Sequence, residues 1–110
     1  MLFETENRGR VLVIRPLDMR IDANDADSFK TGMMSWIDAS NRAVVLDLSF
    51  VNFVDSSGLG AIVAVLKYIG KEGRIVVCNL QAPVSALFKL TRMDKVFAIF
   101  EDVDAATAAF

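Results

Sequence analysis

The sequence predicts an α/β sandwich, a mixed and mostly parallel sheet of about five strands packed with about four helices. Two near-continuous aliphatic runs, at residues 43–48 and 74–80, have the character of central strands covered on both faces. Between and around them lie stretches in which apolar residues recur at helical spacing. Apolar residues make up 54% of the chain and charged ones 24%, a balance that favours a buried core over disorder. At 110 residues the sequence is expected to form one domain.

The elements follow in order. Leu2 to Glu6 alternates in character and predicts an edge strand. Asn7-Arg8-Gly9 is a turn signal, and Arg10 to Arg15 forms a second strand across an antiparallel hairpin. Pro16 ends that strand's capacity to donate to a ladder. Leu17 to Ile21 reads as a loop, with Asp22 or Asn24 placed to cap the next helix and Asp25 and Asp27 in its first turn. Ala26, Phe29, Met33, Trp36 and Ile37 recur at helical spacing, predicting a helix to about Ser40 with Met33 in the core and Trp36 at the rim. Ala43 to Leu48 is a central strand. Leu59 to Ile69 is a helix that buries Leu59, Ile62, Val63, Leu66 and Ile69 and is closed by Gly70 and Gly73. Arg74 to Leu80 is a second central strand. Pro83 sits in the first turn of a short helix whose Val84, Leu87, Phe88 and Leu90 cover the sheet. Thr91 to Lys95 reads as a loop, Val96 to Phe100 as the last strand, and Ala105 to Ala109 as a closing helix opened by Asp102 or Asp104. Strands alternating with helices require right-handed crossovers and a largely parallel sheet, with the first hairpin as its antiparallel edge.

Composition removes several chemistries. There is no histidine, so Ser-His and Cys-His nucleophilic sites and most transition-metal sites are absent. Cys78 is the one cysteine and reads as a buried strand thiol. A net charge of −2 with scattered lysines and arginines argues against a nucleic-acid partner. The N-terminus lacks the pattern of a signal peptide, and no apolar stretch approaches the ~20 residues of a membrane span. The sequence reads as a cytoplasmic protein without membrane association or a cofactor.

One stretch stands apart, Asn52-Phe53-Val54-Asp55-Ser56-Ser57-Gly58-Leu59-Gly60. It places an acid, two hydroxyls and two glycines where a strand end meets a helix start. Free backbone N–H groups and the positive end of a helix dipole suit that place to an anion such as a phosphate. Taken alone, the pattern is also explained by a serine N-cap and a glycine-eased turn. Asp22 and Asp55 form a candidate acid–base pair, but no histidine or second polar cluster supports an enzyme. The GxxxxGK[ST] phosphate loop of nucleotide-binding domains is also missing.

The turn Asp55 to Gly60, the preceding Val44-Val45-Leu46-Asp47-Leu48-Ser49 and the aromatic Phe53 resemble the anti-sigma factor antagonist family of STAS domains. Lys71-Glu72-Gly73-Arg74, Val84 to Thr91 and Met93-Asp94-Lys95-Val96-Phe97 resemble its downstream half, so the likeness covers effectively the whole chain. The resemblance implies partner switching. Unphosphorylated, the protein binds an anti-sigma factor that is also a serine kinase, and this frees a sigma factor. The kinase phosphorylates the hydroxyl after the motif's Asp, here Ser56, and a serine phosphatase reverses it. Asp22, Asp55, Ser56, Ser57, Gly58, Leu59 and Gly60 are the implied partner-binding residues, on a protein expected to be monomeric when free. In one place the pattern departs: many members carry Gly-acid-apolar-Asp before the first helix, and this chain has Met19-Arg20-Ile21-Asp22. The same resemblance admits a second reading, a STAS adaptor in a non-sigma partner-switching, secretion or envelope transport complex.

Overall fold

The computed structural model describes residues 1–38 and 40–110. The hairpin comes first, with β1 (Phe3–Arg8) paired antiparallel to β2 (Val11–Pro16). Its turn is Gly9-Arg10, later than the sequence signal placed it. Gly9 takes φ +63° and so belongs inside the turn, while Asn7 and Arg8 stay in the ladder. Next to β2 lies β4 (Ala43–Asp47), then β6 (Arg74–Cys78) and β7 (Ile99–Phe100), all parallel, in the order β1-β2-β4-β6-β7. The expected mostly parallel sheet with an antiparallel edge is therefore present.

A second ladder was not expected. Arg20–Ile21 (β3), read as loop, pairs in parallel with Phe53–Val54 (β5) in the stretch before the turn. Two-residue strands are too short to show a period, so only the tertiary pairing reveals them.

Helices cover the two faces of the sheet unequally. On one face α1 (Ala26–Trp36), α2 (Ser56–Ile69) and α3 (Ala82–Leu90) pack Phe29, Met33, Ile62, Val65, Val84 and Phe88 against Ile14, Val44, Leu46 and Val77. On the other, only α4 (Val103–Thr107) covers Val13, Val45, Val76 and Cys78, through Val103 and Ala106. Both central strands are thus apolar on both sides, which explains their unbroken aliphatic runs.

Several boundaries moved for physical reasons. The first helix stops at Trp36 rather than near Ser40: Ile37 is already extended, and Asp38 Oδ1 accepts the N–H groups of Ser40 and Asn41 (residue 39 lies outside the described residues). Asp22 and Asn24 do not cap it. The N-cap is Asp25, and the Asp22 carbonyl accepts the N–H of Ala26. In α2 the buried stripe includes Ala61 and Val65, while Val63 and Leu66 are half-buried. Leu90 does not cover the sheet, being 83% exposed. The last strand begins at Ile99 because Met93–Lys95 forms a 3-10 turn whose Met93 carbonyl accepts the Val96 and Phe97 N–H groups. Phe97 then packs against Phe88 in a tilted pair with ring centroids 5.9 Å apart. The closing helix starts at Val103 with Asp102 as its cap, earlier than Ala105.

Candidate functional site

The site grows from the β3/β5 ladder. Alternation buries Ile21 and Val54 and turns Arg20, Phe53, Asp22 and Asp55 toward the other side. Directly after Asp55 the chain enters the fourteen-residue helix α2, so the ladder's outer face runs into the helix start.

The serines do not cap that helix. Asp55 does, with Oδ1 accepting the Gly58 N–H at 2.8 Å. Its Oδ2 accepts the Ala23 N–H at 3.0 Å, which ties the turn to the segment after β3. The two carboxylate oxygens are thus committed to backbone donors from separate parts of the chain. Ser56 and Ser57 lie exposed in the first helical turn, and neither hydroxyl makes a hydrogen bond among the described residues. The capping explanation for the hydroxyls is set aside by this geometry.

Gly58 explains why the junction is so tight. A Cβ there would lie 1.9 Å from the Ile21 carbonyl oxygen, so only glycine lets α2 start this close to β3. Leu59 is buried in the core. These two predicted partner-binding residues therefore support the turn from beneath, while Ser56, Ser57 and Gly60 form its exposed surface and Asp22 and Asp55 its half-buried edge. Beside Ser57 a groove of about 330 Å³ opens between α1 and α2, lined in part by Ala23, Asp27, Lys30, Gly60 and Ala64.

The charge around the turn is mainly negative. Partial desolvation pushes Asp22 up, but the Arg20 guanidinium and the Asn24 N–H outweigh it and hold the carboxyl below its ordinary value. Asp25 is pushed the other way, by desolvation and by the charges of Asp22 and Asp18. Arg20 also lies over the Phe53 ring, with Cζ 4.1 Å from its centroid.

A larger cleft of about 440 Å³ lies elsewhere, lined by Arg8, Arg15, Asp47, Asn79 and Asp104 among others. Its central group is not evident from the sequence alone. Asp47 is 1% exposed, and its carboxylate accepts Arg15 Nε at 2.6 Å, Asn79 Nδ2 at 3.0 Å and the Ser49 N–H at 3.0 Å. A polar residue closing each of two aliphatic strands, Asp47 and Asn79, was the available signal. Size alone would favour this cleft, but its arginines are already paired with acids. Arg8 pairs with Glu6 and Asp104, and Arg15 with Glu4 and Asp47. Cys78 beneath it is buried as expected, and burial together with the Asp47 charge pushes its thiol up to about 12. No helix among the described residues is long and apolar enough to cross a membrane.

Residues 3–106 match the STAS domain family. A relative named "Anti-sigma F factor antagonist" from Paenibacillus polymyxa is 33% identical over 94% of this chain and 91% of that protein. The crystal structure of an anti-sigma factor antagonist from Mycobacterium paratuberculosis superposes with a TM-score of 0.88 at 28% identity, covering 98% of this chain and 92% of that one. SpoIIAA of Bacillus, solved in its phosphorylated form, shares the fold at 17% identity and a TM-score of 0.71 over 99% of this chain and all of that one.

Proposed function

The chain belongs to the STAS domain family, and we propose that it acts as an anti-sigma factor antagonist in a phosphorylation-controlled partner switch. In this reading the unphosphorylated chain binds an anti-sigma factor with serine kinase activity and so releases a sigma factor. The chain is the kinase's substrate rather than an enzyme. Transfer of the γ-phosphoryl group of ATP to Ser56 Oγ, with ADP leaving and the hydroxyl proton lost, ends the binding, and hydrolysis by a serine phosphatase, releasing inorganic phosphate, restores it. The partner meets Asp22, Asp55, Ser56, Ser57 and Gly60, held in place by Gly58 and Leu59. The names of the Paenibacillus and Mycobacterium relatives support the antagonist role.

The observation that carries the reading is the division of labour in the turn. Asp55 caps α2, so the Ser56 hydroxyl is exposed and unbonded at the helix start. A phosphate there adds about −1.5 to −2 charge, which the helix N-terminus tolerates without unfolding. A partner surface fitted to a neutral serine beside Asp55 would have to accept a dianion among existing acids. A loss of about 3 to 4 kcal/mol weakens binding by two to three orders of magnitude.

Incubation with the anti-sigma factor kinase and ATP, followed by mass spectrometry, should place one phosphate on Ser56. Phosphate anywhere other than Ser56 or Ser57 overturns the assignment. Ser56→Ala should retain the kinase while Ser56→Asp loses it, at unchanged thermal stability. Equal binding by both variants and the parent would sink the switch.

A further inference from the structure

We infer that Arg20, stacked on Phe53, is the residue that selects the anti-sigma factor, by receiving one carboxylate of that partner at the edge of the Ser56 turn. The inference rests on the function proposed above and names the chemistry that sets partner choice within it.

Three observations converge. Arg20 is exposed, and its guanidinium lies over Phe53 with Cζ 4.1 Å from the ring centroid. Its only ion pair is a long one, Nε to Asp22 Oδ2 at 3.3 Å, and its two terminal amino groups donate to no acceptor among the described residues. An exposed pair of that length contributes little to stability. The arginine is therefore held by the ring with the donor pair of its fork unused.

The support beneath it is rigid. The Met19 carbonyl accepts the N–H of Asn52 at 2.8 Å and of Phe53 at 3.3 Å, and Arg20 pairs with Phe53 in the β3/β5 ladder. Phe53 itself is 38% exposed, so the ring that carries the cation is open to a partner. A guanidinium that lies over an aromatic ring keeps its N–H edge for a planar bidentate carboxylate.

Charge complementarity identifies the occupant. On the ladder's outer face Asp22 and Asp55 are acids, and Asp18, Asp25 and Asp27 lie nearby in sequence. Such a face attracts basic surfaces in general. Arg20 is the cation on the ladder's own outer face, with Lys30 on the wall of the neighbouring groove, so a partner that fits the ladder presents one acid opposite Arg20 among its bases. A single reversed charge discriminates partners by repulsion as well as by attraction. Arg20 thus sets register and choice, while Ser56 sets whether binding occurs.

The test measures affinity for an anti-sigma factor that binds the unphosphorylated parent, across Arg20→Glu, Arg20→Gln and Arg20→Lys. Lys71→Glu, an exposed reversal in the turn after α2, makes the same net-charge change far from the site. Arg20→Glu should weaken binding by about 30-fold or more and Arg20→Gln by about 10-fold, with Arg20→Lys between Arg20→Gln and the parent. Lys71→Glu should change binding by less than about 3-fold, and thermal melts should report folded protein for every variant. In an acid-to-arginine scan of the partner, one position should restore binding to Arg20→Glu. Binding of Arg20→Glu or Arg20→Gln at parental affinity overturns the inference, as does an equal loss in Lys71→Glu. If the parent is retained and Ser56→Asp is not, such a result leaves the proposed switch standing. A parent that binds no anti-sigma factor defeats the switch itself.

Discussion

Asp47 and Asp55 occupy similar places and do opposite things. Each closes a strand and accepts a nearby backbone N–H, Ser49 for Asp47 and Gly58 for Asp55. Asp47 also receives Arg15 and Asn79, is buried, and sits in a node whose charges cancel. Among the described residues Asp55 receives only a second backbone N–H, from Ala23, and no cation. One carboxylate is a finished structural joint. The other orders a turn while leaving its negative charge uncompensated and two hydroxyls free beside it. A negative charge added at Ser56 would join an acid that no ion pair among the described residues offsets.

The largest expected effect tests how tightly the open turn is fixed. In Gly58→Ala the new methyl would meet the Ile21 carbonyl, a backbone atom held in the β3/β5 ladder, at 1.9 Å. Neither side can yield without separating α2 from β3, so a cost of about 3 kcal/mol is expected. Urea unfolding measures it. A loss under about 1 kcal/mol would mean the junction is loose, and the contrast with the Asp47 node would weaken.

The next effect belongs to the closed node. Asp47→Ala leaves Arg15 with only the exposed Glu4 as partner, and strands Asn79 Nδ2. Because Arg15 retains some solvent, about 2 to 3 kcal/mol is expected rather than the full cost of a broken buried pair. Burial alone would raise the Asp47 carboxyl, but Asn79, Arg15 and the Ser49 N–H outweigh it and hold it below its ordinary value. A depressed carboxyl stabilises above its unfolded pKa of about 3.9, and the contribution is lost as pH falls through the lower folded value. Asp47→Asn should therefore be less stable than the parent at pH 7 and lose less on acidification below about pH 4. Melting curves across that range report both. Binding of the anti-sigma factor should follow only the folded fraction.

How far these two sites could be read from the sequence differs for a physical reason. The central strands and α2 were legible because their apolar spacing is long and regular, and the resemblance reached the turn through contiguous residues. The identity of the cap was not legible. Asp55, Ser56 and Ser57 are all good caps, and the choice depends on the Ala23 N–H, which arrives from thirty-two residues away. The Asp47 node was missed because Arg15 on β2, Asp47 at the end of β4 and Asn79 just past β6 come from three separate parts of the chain and meet only in the sheet. The β3/β5 ladder escaped because two residues carry no period. Local pattern reveals elements, while the pairing of distant donors decides what each acid does.

The smallest effect, and the one of opposite sign, comes two residues after Gly58. Gly60 is exposed in the body of α2, where a Cβ would meet nothing within 4 Å. It needs no positive φ and touches no carbonyl, so the chain's own packing gives no reason for a glycine there. Glycine inside a helix costs about 0.5 to 1 kcal/mol relative to alanine, through backbone entropy. Gly60→Ala should thus stabilise the fold by that amount and raise the melting temperature by on the order of 4 °C. The pair of alanine variants separates the buried side of the turn from its outer side: the same substitution two residues apart removes about 3 kcal/mol at Gly58 and adds up to about 1 kcal/mol at Gly60. A destabilised Gly60→Ala would show that the groove beside Ser57 is closed in solution, and the open half of the comparison would fail there.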